Sequence, residues 1–453
     1  MISDNGGVHS SLDDYFLGKR KIKEKRVSSM LVSSSFGANA ILYSIWLGYI
    51  MGAWALIIHI AWCMSFVLLS KYSEKIYNYT GLHDFLGSKF GKTTQKVAAL
   101  CSMIGLFYFL GWEIAITQTG IESIIVSTGI ESASYALSLV LIVSFVAIIY
   151  TIIGGRRMNG LIDSFVNKIK SIIMFVLAVA LFFVVCEYLV SDFNIFFPSF
   201  SIALMEIGFI GFFINILFNL SWQFVDNSSW QTISSGSNDD SKHTKSSLLG
   251  ASKGIFIAYF FGTAIGLMMR CIPNLTSDNI IGQISLVIGG DFELIFGLLI
   301  VILLLFSMMT LIDSISLSIT QSLAIDIGLI REKTLTAARL MTLFVGIIAV
   351  FGVQLILNLM DLDIFSFVYI VIISQLSLIG PILVGLILKQ KKIPYMWAGM
   401  LLGLFIGMTI AMSGNHFNIG WLSDIGGLVA ALISVIVSLL LYINYGKNIK
   451  IET

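Results

Sequence analysis

Ionisable side chains lie inside or at the ends of long apolar stretches of this 453-residue sequence, at His59, Glu113, Asp163, Asp226 and Asp313. A charged group of this type costs a few kcal/mol if it faces lipid, so it must pair, accept hydrogen bonds, bind a cation or hold a proton. Glu113 stands in the middle of its stretch and is predicted to face a polar interior. His59 is interpreted as a packing residue, and Asp226 as a capping or solvated residue or, equally, as a solute contact.

Two other segments carry oxygen atoms at a spacing that suits a cation. Ser307, Thr310 and Ser314 are three and four residues apart, so they share one face of a helix. Such hydroxyls often bond a carbonyl of the preceding turn, which is a structural role, but the adjacent Asp313 favours the handling of an ion. The small and polar residues at 33–41 can free backbone carbonyls for a cation or let a second helix pack closely, and composition alone favours packing.

The elements that position these residues are predicted to be membrane helices. Apolar residues make up 57% of the chain and charged residues 12%, about half of the roughly 25% found in soluble domains. Such a chain cannot cover its surface in water, which indicates a polytopic membrane protein. A net charge of +1 gives no electrostatic footprint for nucleic acid. Four scattered cysteines, without a CxxC or HExxH motif, give no support to a disulfide framework, a zinc site or a zincin protease.

A helix needs about 20 residues to cross a bilayer, and twelve stretches meet that requirement. The predicted spans are 28–50, 52–70, 97–118, 134–153, 161–186, 204–226, 249–271, 293–322, 337–359, 363–388, 395–412 and 421–444.

The lysines and arginines indicate how the chain is oriented. They cluster at the N-terminus, in every second turn and at the C-terminus, and of the 27 basic residues only Arg270 belongs to the other set of turns. This is the positive-inside pattern, which predicts that both termini are cytoplasmic. Residues 1–27 have no apolar signal-peptide core, so the first span is expected to act as its own insertion signal in the plasma (inner) membrane.

Six short segments follow one another from residue 14 to about residue 410. They are DYFLGKR at 14–20; TGLHDFL at 80–86 with KFG at 89–91; GG at 154–155 with LID at 161–163; FVDN at 224–227 with WQ at 230–231; TLIDS at 310–314 with IDI at 325–327; and GP at 380–381 with Gly385 and Lys389. Together and in this order they resemble motifs of the sodium/solute symporter family, which includes proline, pantothenate, sugar, sialic acid and urea carriers.

The resemblance implies an all-α, leucine-transporter-type fold, with ten core helices in two inverted five-helix repeats and two accessory C-terminal helices. Residues 1–27 would then form a cytoplasmic segment and 28–388 the ten-helix core. The accessory helices would occupy 389–444, and 445–453 would form a cytoplasmic tail.

The resemblance also implies a shared sodium site. Its ligands would be the backbone carbonyls of Ala38 and Ile41 and the hydroxyls of Ser307 and Thr310. Leu311 stands where the family usually has a second serine or threonine, and its side chain offers no oxygen to a hard cation. The missing ligand should weaken sodium binding.

Some family members use a second cation position, which would here involve Asp163, Asp313 and Ser314 together with Thr310. Two carboxylates at that position could hold a sodium ion or share a proton. Sodium is therefore the first expectation for the coupling ion and a proton the second, and no cofactor is expected.

The function implied by the resemblance is cation-coupled symport of a small polar organic solute by alternating access. The predicted solute-binding residues are Asn39, Glu113, Trp222, Gln223 and Gln375, although Trp222 could equally serve packing. The expected partners are this solute and the lipid bilayer, with no nucleic acid. No nucleophile motif or metal set indicates an enzyme. The alternative is a transporter-like membrane sensor that works with a separate signalling partner.

Overall fold

The computed structural model describes residues 11–127, 134–188, 196–237, 240–275, 280–330, 334–352, 364–388, 393–417 and 419–446. In this part of the chain every regular element is helical. In chain order the α-helices are α1 (Leu12–Leu17), α2 (Glu24–Ser35), α3 (Ala38–Met51), α4 (Ala55–Ser70), α5 (Ser73–Ile76), α6 (Leu82–Phe90), α7 (Lys92–Ser127), α8 (Ser134–Tyr188), α9 (Phe200–Ile207), α10 (Phe209–Val225), α11 (Asn227–Ser235), α12 (Ser241–Arg270), α13 (Ile280–Gly289), α14 (Glu293–Gln321), α15 (Leu335–Ile347), α16 (Ile364–Leu376), α17 (Ile379–Ile387), α18 (Trp397–His416) and α19 (Gly420–Gly446). Short π-helical turns continue α14 over Ser322–Ile327 and α15 over Ile348–Gly352.

Among the described residues, nine helical stretches are long and apolar enough to cross a membrane, or ten if α9 and α10, which are bent by 82°, form one span. The stretch Ala38–Ser70 contains α3 and α4, and is therefore half of the first predicted span and all of the second. The stretch Tyr135–Cys186 has 52 residues, about 78 Å of helix, which is enough for two crossings. When α9 and α10 are taken as one span, there are ten stretches, and counting each of these two long stretches as two crossings gives twelve. The helix count is therefore consistent with the twelve predicted spans.

The first span is broken near its middle. The backbone leaves the helical region at Phe36 (φ −126°, ψ 67°) and Gly37 (φ −75°, ψ −176°), between the end of α2 and the start of α3. A side chain at Gly37 would collide with its neighbours, because a Cβ there would lie 2.6 Å from Glu113 Oε1 and 2.7 Å from Leu311 Cδ1. The break therefore depends on glycine and lies directly against α7 and α14.

A second break separates α10 from α11 at Asp226 (φ −80°, ψ 104°). The Asp226 carboxylate accepts hydrogen bonds from the backbone N–H groups of Ser228 and Ser229, at 3.0 and 3.1 Å, and from the Ser229 hydroxyl at 2.6 Å. These contacts satisfy the free N–H groups at the start of α11. Of the two sequence interpretations of Asp226, the structure shows the helix cap.

The fourth and fifth predicted spans form one element, α8, which departs from helical geometry at Gly155 (φ 47°). A Cβ at Gly155 would meet the Tyr15 backbone and ring, so α1 packs closely against this bend. Burial raises the pKa of Tyr15 to about 12, and its neutral phenol shares a 3.0 Å hydrogen bond with Thr342 Oγ1.

Packing around the two breaks builds a common core. The α14 helix packs against α8 and α7, and α12 packs against α2, α3 and α4. The last two helices, α18 and α19, pack mainly against each other. Large apolar side chains on the outer faces of α8, α10, α18 and α19 are exposed, as expected for surfaces that face lipid. The predicted domain boundaries stay predictions, since residues 1–10, 389–392 and 447–453 lie outside the described part of the chain.

Candidate functional site

A cavity of about 420 Å³ lies against the helices that contain the two breaks. Its walls come mainly from α3, α10 and α16, with further residues from α4, α7, α9, α12 and α19 and with Ser35 at the end of α2. Apart from Ser35, the lining residues of the first span follow its break, and those of α10 precede the second break, so the cavity lies on one side of both breaks. This volume suits a small organic molecule.

The cavity walls are dominated by stacked aromatic rings. Trp62 stacks on Trp222 with ring centroids 5.4 Å apart, and His59 stacks on Tyr259 at 4.3 Å with an angle of 11° between the ring planes. Phe109 meets Trp222 edge-on at 5.4 Å. Such walls offer flat apolar surfaces and polar ring edges to a ligand.

Polar groups are placed among these rings. The hydroxyl of Tyr43 donates to Asn215 Oδ1 at 3.0 Å, and Asn219 Nδ2 donates to the Ile58 carbonyl at 3.1 Å. In contrast, the buried ring nitrogens His59 Nε2 and Trp62 Nε1 have no hydrogen-bond partner among the described residues. Since buried polar atoms are normally paired, these two nitrogens are available to a ligand.

The five residues predicted to bind solute are placed differently. Asn39 and Trp222 line the cavity. Gln223 is buried beside it, and neither atom of its amide has a partner within the described part of the chain. Gln375 donates to the Ser102 carbonyl at 3.2 Å, which ties α16 to α7. These residues stay predictions as solute contacts.

Glu113, the fifth of them, binds the broken end of α3. Its two carboxylate oxygens accept hydrogen bonds from the backbone N–H groups of Ala38, at 2.5 Å, and Asn39, at 3.1 Å. The start of a helix carries unsatisfied N–H groups and a partial positive charge, and a carboxylate complements both. Glu113 therefore stabilises the break and reaches the cavity through Asn39.

On the other side of the break, Lys170 binds the end of α2. Its ammonium donates to the Phe36 carbonyl at 3.1 Å, and the residue as a whole is 3% exposed. A cation at this end matches the partial negative charge of the helix terminus. The sequence interpretation counted Lys170 among the basic residues of the cytoplasmic side; in the structure it is buried within the core.

The residues predicted for the shared sodium site lie beside this break. The hydroxyls of Ser307 and Thr310 are buried and donate to carbonyls of their own helix, at 2.7 and 3.1 Å, which leaves their lone pairs available. The carbonyl of Ile41 accepts the Ser44 hydroxyl at 2.8 Å. The carbonyl of Ala38 belongs to the first turn of α3.

The predicted second cation position contains two fully buried carboxylates. Asp313 accepts hydrogen bonds from the hydroxyls of Tyr150, at 2.6 Å, and Ser314, at 2.9 Å. Neither oxygen of Asp163 has a well-formed hydrogen bond in the part of the chain that the structure describes, since the nearby Ser33 hydroxyl donates to Asn167 instead. An unsatisfied buried carboxylate of this kind is a natural ligand for a cation or a proton.

Charges around Asp163 and Asp313 form one buried cluster. Both carboxylates interact electrostatically with Arg156 and Lys170, and Lys170 also interacts with Glu113. Arg156 also interacts with the buried Asp226, so four carboxylates face two cationic side chains and negative charge is in excess when all six groups are ionised. Burying an unbalanced charge is costly, so the cluster favours the binding of a cation or a proton.

Parts of four of the six sequence segments that carried the resemblance are joined by hydrogen bonds or ion pairs, and none of the joined residues lines the cavity. Asn227 accepts the N–H of Leu82 at 3.0 Å and donates to Ser322 at 3.1 Å, and His83 contacts Asp326 at 2.9 Å. The buried Arg156 donates to the Phe16 carbonyl, Thr232 and Gln231, at 3.1 to 3.3 Å. These bonds join α1, α6, α8, α11 and α14 into one polar layer.

Several site residues were not identified from the sequence. Lys170 lies seven residues after Asp163, two helical turns along the same face, and this spacing was the available signal. His59 was interpreted as a packing histidine, but it lines the cavity. Tyr43 and Tyr259 carried no sequence signal, because their role depends on how α3 and α12 cross.

Two solved structures resemble this chain along nearly its whole length. One is a Na⁺-coupled sialic acid symporter in a substrate-bound outward-open state with a novel Na⁺ site; it has a TM-score of 0.70 and 16% identity, over 96% of this chain and 93% of that one. The other is Mhp1, a nucleobase-cation-symport-1 family transporter in a closed conformation with bromovinylhydantoin bound. It has a TM-score of 0.60 and 13% identity, over 99% of this chain and 97% of that one. No protein-family model and no curated protein matches the sequence.

At these identities the likeness establishes the fold. The chain is an all-α, multi-pass membrane protein with the leucine-transporter-type fold, so the predicted fold class is confirmed.

Proposed function

We propose that this protein is a secondary active transporter, which moves a small organic solute together with a monovalent cation by alternating access. The observation that carries the proposal is a ligand-sized aromatic cavity set against two broken helices, with a buried carboxylate cluster next to one break. Broken helices at membrane depth persist where they line a binding site. Both structural neighbours are described as transporters.

The cavity suits a neutral or cationic solute with a flat face. Its described lining includes the carboxylates of Glu206 and Asp424 and contains no lysine or arginine, so an anionic solute would meet no compensating charge. The stacked pairs Trp62–Trp222 and His59–Tyr259 favour a planar or ring-shaped molecule. The free ring nitrogens would bond to its polar edge.

The cluster around Asp163 and Asp313 supplies a place for the coupling cation. A bound sodium ion or proton would reduce its excess negative charge. Sodium remains the first candidate, since one neighbour is described as Na⁺-coupled, and a proton the second. A single charge crossing 100 mV is worth about 2.3 kcal/mol, which supports a solute gradient of nearly fiftyfold at tenfold per 1.4 kcal/mol.

The two sides of the breaks would serve as alternate routes. The polar layer that joins α1, α6, α8, α11 and α14 would block the path on the predicted cytoplasmic side while the cavity receives solute from the other side. Rocking of one helix group against the other would open that layer and release the solute. The transport cycle would then require the Asn227 and His83 contacts to break and reform.

The test begins with a thermal-shift screen of the purified full-length chain, with and without sodium. Neutral and basic amino acids, sugars, urea and flat heterocyclic amides are candidate ligands, and carboxylates are expected not to bind. A stabilising compound is then labelled and tested for counterflow in proteoliposomes. Counterflow supports a carrier; stabilisation without counterflow contradicts it and indicates the membrane-sensor alternative.

A further inference from the structure

The last membrane helix contributes a carboxylate to the cavity. Asp424 lies one turn inside the stretch Gly420–Tyr445, which is long and apolar enough to cross a membrane, and it lines the cavity together with Glu206 of α9. An ionisable side chain inside a span is costly unless it serves a partner or a ligand. We propose that Asp424 binds the charged end of the solute and makes the cavity selective for organic cations. The inference rests on the proposed function and deepens it, because it names the class of solute and assigns part of the site to a predicted accessory helix.

The Asp424 carboxylate is held where three helices meet. Its Oδ1 accepts a hydrogen bond from the hydroxyl of Tyr369, on α16, at 3.0 Å. Its Oδ2 lies beside Gly211, on α10, where an added Cβ would be 4.0 Å from this oxygen. Tyr369 and Gly211 also line the cavity. The carboxylate is therefore fixed in the cavity wall, and because Gly211 has no side chain, α10 does not cover Oδ2.

The charges of the cavity favour a cation. The described lining contains the carboxylates of Asp424 and Glu206 and no lysine or arginine. Asp424 is partly buried, and Glu206 is exposed. A cleft with charges of one sign between apolar walls raises the local concentration of the opposite charge and repels ions of the same sign. A cation is therefore expected to bind more tightly than a neutral molecule of the same shape.

Aromatic rings lie within the length of a small molecule from this carboxylate. Along α10, Gly211 marks the position of the carboxylate, and Phe218 lies seven residues further, about 10 Å along the helix. The Phe218 ring meets Trp222 edge-on at 5.1 Å and Trp62 at 6.5 Å. A flat ring can pack among these side chains while a cation attached to it reaches the carboxylate. The faces of the aromatic rings also attract positive charge.

Two buried ring nitrogens are an independent indication of a ligand at the aromatic end. His59 Nε2 and Trp62 Nε1 have no hydrogen-bond partner within the described part of the chain, and the two residues, which both line the cavity, are 2% and 8% exposed. Buried polar atoms are normally paired. The indole N–H of Trp62 can only donate, so it requires an acceptor such as a hydroxyl or carbonyl oxygen. The solute is therefore an organic cation whose flat ring carries a polar substituent.

Three compounds of nearly the same shape test the preference for a cation. Tyramine is a cation, tyrosol is neutral and 4-hydroxyphenylacetate is an anion, and each has a phenol ring with a short chain. Thermal-shift titrations of the purified full-length chain at neutral pH compare their affinities. We expect tyramine to bind about tenfold more tightly than tyrosol, because it adds a charge-assisted contact, and 4-hydroxyphenylacetate to bind more weakly than both.

Variants then assign the preference to Asp424. Asp424→Asn should remove the difference between tyramine and tyrosol, and Asp424→Glu should keep it. Glu293→Gln is the matched control, because Glu293 is a carboxylate that is not part of the cavity lining. Equal affinity of the wild type for tyramine and tyrosol, or an unchanged difference in Asp424→Asn, would overturn the proposal.

The reactivity of a cysteine in the cavity tests the same charge without any solute. Ile372, which lines the cavity, is replaced by cysteine in a variant whose four native cysteines are alanine. Its reaction rates with a cationic trimethylammonium and an anionic sulfonate methanethiosulfonate are each divided by the rate of that reagent with 2-mercaptoethanol. We expect the cationic reagent to be favoured by about tenfold, and Asp424→Asn to reduce this ratio. A ratio near one, or a preference for the anionic reagent, contradicts the proposal.

Neither measurement involves transport, so the proposal and the proposed function can fail separately. A carrier of neutral solutes would show counterflow but no preference for the cationic compound or reagent. A membrane sensor that binds a cation would show both preferences without counterflow.

Discussion

Glu113 is the residue on which the geometry of the break depends. Both of its oxygens accept backbone N–H groups of α3, and no part of the carboxylate is exposed. The sequence predicted a polar environment for this side chain from its place in the middle of a span. It did not predict that the partner would be a helix terminus, because that contact depends on how α7 packs against the break.

Replacing Glu113 with glutamine tests this role. The amide keeps one acceptor but directs an NH₂ group at the second backbone N–H, which leaves a buried donor unsatisfied at a cost of about 1–3 kcal/mol. We expect Glu113→Gln to weaken solute binding by about tenfold or more in a thermal-shift titration. Glu122→Gln is the matched control, because Glu122 lies on the same helix and accepts a hydrogen bond from Gln118. Wild-type affinity and wild-type transport across pH 5–8 in Glu113→Gln would exclude a role for the carboxylate.

At the scale of elements, the packing of α7 and α14 against the break in the first span requires a glycine at position 37. A Cβ at this position would approach the carboxylate of Glu113 and the methyl group of Leu311 too closely. We expect Gly37→Ala to destabilise the purified protein by about 1–3 kcal/mol, as overpacked substitutions do, and to reduce solute binding.

The matched control is Gly420→Ala, because a Cβ there has open space around it. Thermal unfolding in the same detergent compares the two variants. If Gly37→Ala proves as stable as Gly420→Ala and binds solute normally, the break does not depend on this close approach.

The sequence predicted the elements better than the contacts between them. Apolar length located the spans. Composition alone favoured helix packing for the small residues at 33–41, and only the resemblance implied cation-binding backbone carbonyls in the segment that breaks. Spacing placed Ser307, Thr310 and Ser314 on one helix face, and all three are buried against the core. The sequence did not predict the burial of Lys170, because a count of basic residues along the chain does not distinguish exposed side chains from buried ones. A buried lysine can be distinguished only when its partners, here Phe36 and three carboxylates, are known.

For the whole molecule, the distribution of basic residues predicts which side of the membrane each turn faces. Single cysteines test this in a variant whose four native cysteines are replaced by alanine. A membrane-impermeant maleimide added to intact cells should label Asn274→Cys, in a predicted outer turn, and should not label Lys242→Cys. After the membrane is opened both should react. Labelling of Lys242→Cys in intact cells would reverse the proposed orientation.

Concentrative uptake tests cation-coupled transport by the whole molecule most directly. Proteoliposomes containing the full-length chain are given a labelled solute identified by thermal shift, at a fixed membrane potential. Sodium or proton gradients are then imposed one at a time. We expect the internal solute concentration to rise above the external one with one of the two gradients, and Asp163→Asn to abolish the rise. Equal uptake with and without a sodium gradient would exclude sodium, and solute binding without accumulation under either gradient would contradict the transporter assignment.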